Sequence, residues 1–213
     1  MSSQEDAASP SHEEEQQQAS SESPALSEES IKHPLQNTWA LWFFKNDKTK
    51  SWKENLMKVT SFSTVEDFWG LYNYVQPASQ LQPGCDYSVF KDGIEPAWED
   101  SANRNGGRWL LNLNRQQRRD SLDRYWMEIL LMMIGEQFED ASDEVRGAVV
   151  NIRPKGDKLA LWTGHYDRRE ETTRIGTMLK ERLQLTGRGV LVYQSHQDTM
   201  SKSGSQSRSL YQV

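Results

Sequence analysis

The sequence predicts an α+β fold, with a mainly antiparallel sheet, three helices packed on one face, and the other face open. Three observations predict it. Strand-length apolar and aromatic stretches recur from residue 38 onward. Three stretches with helical apolar spacing are scattered among them rather than alternating strictly with them. One clear hairpin joins 147–153 to 158–163 across the turn Pro154-Lys155-Gly156-Asp157.

The elements follow in order. Residues 1–31 are rich in Ser, Glu and Gln, have almost nothing to bury, and read as a disordered tail extending to about residue 32. Structure is expected from His33-Pro34, giving one domain over 33–213. TWALWFF at 38–44 reads as a strand, and 56–62 as a weaker one. Ser63-Thr64-Val65-Glu66 has capping-box spacing and opens a helix to about Tyr74. Residues 85–91 alternate and end at the turn Asp92-Gly93; 108–113 is a further strand. The longest helix is expected over 117–134, where Leu122, Tyr125, Trp126, Ile129, Leu130, Met133 and Ile134 form one apolar stripe and Gly135 is the stop. After the hairpin come a helix at 168–183 and a strand at 189–194. The Ser- and Gly-rich stretch 199–209 reads as a mobile loop.

Composition narrows the function. The formal net charge is −6, but residues 1–31 hold eight acids and no Lys or Arg. The rest keeps 23 acids against 25 basic residues, a formal net of +2, so an anion site has to be a local cluster. The single cysteine, Cys85, cannot form an internal disulfide, and no signal-peptide or membrane-spanning pattern is present, so an intracellular protein is expected. There is no Walker-type loop, no GxSxG and no metal-ligand spacing, and His12, His33, His165 and His196 are scattered. Nothing points to catalysis. Tryptophan is the commonest aromatic residue, with eight Trp against seven Tyr and six Phe, and every Trp lies after residue 38.

Two constellations carry chemistry. On the hairpin, alternation puts Val150, Ile152, Leu159 and Leu161 on the helix side. Asn151, Arg153, Lys158 and Trp162 then project together from the open side, with Lys155 in the turn and Arg108 at a strand start able to join them. An indole among cations suits a flat-ringed anion, which means a nucleotide; a plain solvated face is the alternative. The second constellation is GIEPAWED at 93–100. Pro96 excludes a regular helix, so Trp98 and Glu99 sit side by side in a loop. An indole can stack on a base, and one carboxylate can accept both donors of the guanine Watson–Crick edge. A positively charged guanine adds a cation–π attraction. Trp52, in Lys50-Ser51-Trp52-Lys53, could supply the opposite face. The competing reading is that both tryptophans fold back as lids over the core.

The chain resembles the eukaryotic translation initiation factor 4E family, cap-binding proteins of messenger RNA. The likeness runs from His33 to the C-terminus and is carried by HPLQNTWALWFF, TVEDFWGLYNY, GCDYSVFKDGIEPAWED, GGRWLLNLN, GAVVNIRPKGDKLALWT and YQSHQDT. It implies a curved sheet with helices on the convex face and the ligand on the concave one. It also implies that 7-methylguanosine triphosphate is held by Trp52 and Trp98 as a sandwich, Glu99 on the guanine edge and Trp162 beside the methyl group. Arg108, Arg153, Lys155 and Lys158 are then on the phosphates, and no cofactor or metal is needed. A second site is implied on the helical face, at His33, Pro34, Val65, Trp69, Met127 and Gly135. There the initiation scaffold factor 4G or 4E-binding repressors dock a Tyr-x4-Leu-hydrophobic helix. Ser205 matches a phosphorylation position. The role implied is recruitment of capped messages to translation, or alternatively silencing of selected messages with a repressor; the place is the cytoplasm, with the nucleus and RNA granules as further sites. Ala97 stands where the family often has Met, Met127 where it has Leu, and Gly187-Arg188-Gly189 where Pro-rich sequence is expected.

Overall fold

A computed structural model describes residues 31–185, 189–201 and 209–213. The expected tail at 1–30, Gly187-Arg188 and Ser205 lie outside the described residues. The elements are β1 (Pro34–Phe44), α1 (Trp52–Asn55), β2 (Leu56–Thr64), α2 (Val65–Tyr74), β3 (Asp86–Lys91), β4 (Gly107–Leu113), α3 (Arg115–Asp120), α4 (Leu122–Ile134), β5 (Val145–Asn151), β6 (Asp157–Thr163), α5 (Arg169–Arg182), β7 (Val192–Ser195), α6 (His196–Ser201) and β8 (Tyr211–Gln212). The eight strands form one open sheet in the order β2-β1-β3-β5-β6-β4-β7-β8, and every pair is antiparallel.

Side-chain alternation splits the sheet into two apolar layers. On one face Trp39, Leu41, Val89, Trp109, Leu111, Val150, Leu159 and Leu161 pack against Phe68, the α4 stripe, and Ile175 and Leu179 of α5. The seven stripe residues expected on α4 are all buried. Gly176 lets α5 come down onto the sheet, because a Cβ there would strike the Trp109 ring. Trp109 Nε1 donates to the Thr172 carbonyl at 2.9 Å on the same helix. The opposite face carries a smaller cluster of Phe90, Leu110, Val149, Ala160 and Trp162.

The structure departs from several expectations. The expected helix over 117–134 is two helices, meeting at Ser121, whose backbone leaves helical geometry (φ −138°, ψ −21°). Residues 115–121 carry no apolar side chain to continue the stripe. The first of the two helices has its own anchor, since Arg118 donates to both oxygens of the fully buried Asp157 at 2.5 Å. The cap of α2 is Thr64, which accepts from the Asp67 amide, rather than Ser63. Gly135 ends α4 with an ordinary φ of −89°, and the left-handed residue is Glu136. Residues 199–201 belong to α6 rather than to a loop. The short α1 and β8 were not expected; Ser51 and Glu54 form a capping box that explains α1.

Candidate functional site

The pairing registers place three rows of side chains across the open face. One row reads Ala40, Phe90, Gly147, Trp162, Arg108, Gln194. The next reads Trp42, Ser88, Val149, Ala160, Leu110, Val192. The third reads Phe44, Asp86, Asn151, Lys158, Asn112. The middle row is mostly apolar and floors the site, while the outer rows supply an indole and cations.

Two loops rise over this floor and wall a cavity of about 420 Å³. The loop after β3 brings Trp98 and Glu99. It is tied from inside by Asn103, fully buried, whose amide donates to the carbonyls of Glu95 and Ala97 at 2.9 Å each. Asp100 accepts from the backbone of Glu95 and Ala102. The small Ala97 side chain is buried in this fold of the loop. The loop after β1 brings Trp52. Its buried Asn55 donates to the carbonyls of Asp47 and Ser51. Trp52 is half exposed and sits 6.2 Å from the Phe44 ring. Trp52, Trp98, Glu99, Arg108, Arg153 and Trp162 all line the one cavity, joined by Phe44, Asp86, Ser88 and Asn151.

Each cation has its own environment. Arg108 lies with its guanidinium 5.9 Å from the Trp98 ring, and burial draws its pKa below the usual arginine range. Arg153 follows the end of β5 rather than standing in the strand, and it forms an end-on ion pair with Asp86 through its two Nη nitrogens, which raises its pKa. The Lys158 pKa is lowered, first by burial and then by the positive charges of Arg108 and Arg153. Lys155 is exposed in the turn and Lys158 on β6, and both line an adjoining cleft rather than the cavity itself. Trp162 faces the cavity as expected but is only 4% exposed, with Phe90 edge-on at 5.3 Å and His196 at 4.2 Å behind it. Gly147 makes room for Phe90, whose ring occupies the space a Cβ would need.

The sequence reading missed Asp86, Asn103, Phe44 and His196. Asp86 was legible as the polar start of an alternating strand. No motif marks Asn103 or His196: Asn103 ties its own loop together, and His196 acts through a contact across the chain.

The family model described as eukaryotic initiation factor 4E matches residues 34–210. The chain belongs to the eukaryotic initiation factor 4E family. The Homo sapiens eukaryotic translation initiation factor 4E is 59% identical over 194 residues, covering 91% of this chain and 89% of that protein. The structure of Ascaris suum eIF4E-3 with an m2,2,7G cap superposes with a TM-score of 0.81 at 46% identity, over 86% of this chain and 99% of that one. The complex of C. elegans eIF4E-3 with the 4E-binding protein Mextli and a cap analog gives a TM-score of 0.79 at 45% identity, over 86% of this chain and 100% of that one.

This factor 4E family member also assembles the second group of residues on its helical side. The Val65 amide donates to the His33 carbonyl at 2.9 Å, and Glu66 accepts from both the ring and the backbone of His33. Those bonds hold the Glu66 carboxyl down at about 2. His33, Pro34, Val65 and Trp69 are all exposed there, with Phe68 turned inward at 2%. Gly135 is exposed at the end of α4, which Glu136 ties to β1 through Asn37 at 2.6 Å. Met127 is half-buried on α4.

Proposed function

We propose that this chain binds the 7-methylguanosine triphosphate cap of messenger RNA and recruits the message to translation initiation. The observation that carries the reading is the shared cavity. It holds Trp52 from the start of α1, Trp98 from the loop after β3 with the free-standing Glu99 beside it, and two arginines. Trp52 and Trp98 stack on the methylated base, whose positive charge strengthens aromatic contact. Glu99 accepts from the guanine N1 and N2 groups. Trp162 closes the methyl side. Arg108, Arg153 and Lys158 take the phosphates, with Lys155 nearby and Arg153 exchanging Asp86 for a phosphate oxygen. The function is a set of contacts and no cofactor or chemical step enters it. We take residues 33–213 as the single cap-binding domain, acting in the cytoplasm.

The helical face, with His33, Pro34, Val65, Trp69, Met127 and Gly135, receives the amphipathic helix of the initiation scaffold or of a repressor. The complexes of relatives with 4E-binding proteins support that reading.

The test is a tryptophan-fluorescence titration with 7-methyl-GTP and with GTP. Strong quenching by the methylated nucleotide and far weaker quenching by GTP is expected. Equal quenching by the two would overturn the charge-selective clamp. Cap-resin capture, asking whether scaffold or repressor co-elutes, separates recruitment from silencing.

A further inference from the structure

The strongest feature outside the cavity is the cleft of about 460 Å³ beside it, where β4, α3 and the β5–β6 turn meet. Lys158 joins the two spaces. It pairs across the sheet with Asn151, which lines the cavity, and with Asn112, which lines the cleft. The remaining polar lining is Asn114, Gln117, Lys155 and Asp157.

The hydrogen bonds of this cleft are already divided in a telling way. Asn114 caps α3, and its Oδ1 accepts from the amides of Gln116 and Gln117 at 2.9 Å. Gln117 Oε1 returns the capping box by accepting from the Asn114 amide at 2.9 Å. Both carboxamide oxygens are therefore spent on backbone, and what each side chain has left is an NH2 group, a donor. Asp157 is the one carboxylate in the lining, and Arg118 and the Arg153 amide occupy it. Lys155 and Lys158 add two cations that form no ion pair among the described residues. The cleft thus offers donors and positive charge, and among the described residues the Asn112 carboxamide oxygen is its one side-chain acceptor left unengaged. Its complement is a ligand of acceptors and negative charge that continues from the phosphate end of the cavity.

The geometry points to this cleft as a subsite for the RNA body: the ribose-phosphate backbone and base carbonyls of the first nucleotides after the triphosphate. The assignment rests on the cap-binding reading. Lys158 serves the triphosphate and Lys155 the first phosphodiester beyond it. The NH2 groups of Asn114 and Gln117 meet phosphate oxygens or base carbonyls.

Gln117→Glu is the discriminating variant. It keeps an oxygen for the Asn114 amide, so the capping box survives, but replaces the donor with an anion. Binding of 7-methyl-GTP, of a cap dinucleotide and of a capped hexanucleotide is compared in the full chain by calorimetry. In the unmodified chain the hexanucleotide is expected to bind about threefold to tenfold tighter than the dinucleotide, the worth of one or two hydrogen bonds. In Gln117→Glu that advantage is expected to vanish while 7-methyl-GTP affinity stays within about twofold, a small indirect effect at this half-buried position outside the cavity lining. Gln117→Met, which has neither donor nor charge, is expected to fall between. A hexanucleotide no tighter than the dinucleotide, or an advantage that persists in Gln117→Glu, overturns the subsite and leaves the cap reading standing. Failure of 7-methyl-GTP itself to bind overturns both.

Discussion

Glu99 is exposed, while Trp98 beside it is partly covered by the smaller cluster on the open face. A carboxylate left in water at a cavity mouth has its acceptors available, which is what reading two guanine donors requires. Glu99→Ala is therefore expected to weaken 7-methyl-GTP by at least about 100-fold, since hydrogen bonds involving a charged group are worth ~1.5–3 kcal/mol each. Circular dichroism should be unchanged, because the loop is tied through Asn103 and Asp100 instead. His196 shows the opposite case. It is fully buried against Trp162 with neither ring nitrogen hydrogen-bonded among the described residues, and burial, then the Arg108 charge, pulls its pKa down to about 3. The unfolded chain, with a histidine near 6.5, takes the proton first as pH falls. The stabilisation is thus complete above about pH 6.5 and is lost progressively down to about pH 3, by up to about tenfold in the folding equilibrium per pH unit. Urea unfolding at pH 7, 6, 5 and 4 should show this slope, and His196→Phe should flatten it. An equal slope in the variant would remove His196 from the account.

Elements join the two sites to the core. The β5–β6 hairpin depends on Asp157, which accepts from Arg118 twice and from the Arg153 amide at 3.0 Å. Asp157→Ala leaves the partly buried Arg118 guanidinium without its anion. The expected cost is about 3 kcal/mol, typical of breaking a buried pair, and denaturant unfolding measures it; a loss below about 1 kcal/mol would show that water replaces the carboxylate. On the other side, α2 turns Phe68 inward and Trp69 outward, 36% exposed and edge-on to Tyr72 at 5.9 Å. Trp69→Ala is expected to weaken a Tyr-x4-Leu-hydrophobic peptide by at least about 30-fold, as hot-spot tryptophans do. Affinity for 7-methyl-GTP should stay unchanged, because Trp69 contributes nothing to the cavity lining. Loss of both ligands together would mean that the substitution damages the fold.

At the scale of the molecule, the sheet separates the two functions, with helices and a large apolar layer on one face and the ligand cavity on the other. The cations gather at one end of that cavity although the chain is formally negative, so phosphate affinity is a local field. Raising salt from 50 to 500 mM is expected to weaken 7-methyl-GTP several-fold by screening, and 7-methylguanosine without phosphates much less; equal salt sensitivity would take the cluster out of the binding site. Much of this was readable from residue order. The strands, the apolar stripe of α4 and the two faces of the hairpin follow from periods of 2 and 3.6, which are local geometry. Trp98-Glu99 was conspicuous because a loop between Pro96 and polar residues gives an indole little local shelter. Residue order could not say that Arg153 leaves its strand to pair with Asp86, that Lys155 turns toward a neighbouring cleft, or that Trp162 is buried between Phe90 and His196. Nor could it show that Arg118, in the short helix before the break at Ser121, is held by the buried Asp157. Those outcomes depend on groups 34 to 72 positions apart. Periodicity tells which face a side chain takes, and only the folded chain decides which distant charge or ring it meets there.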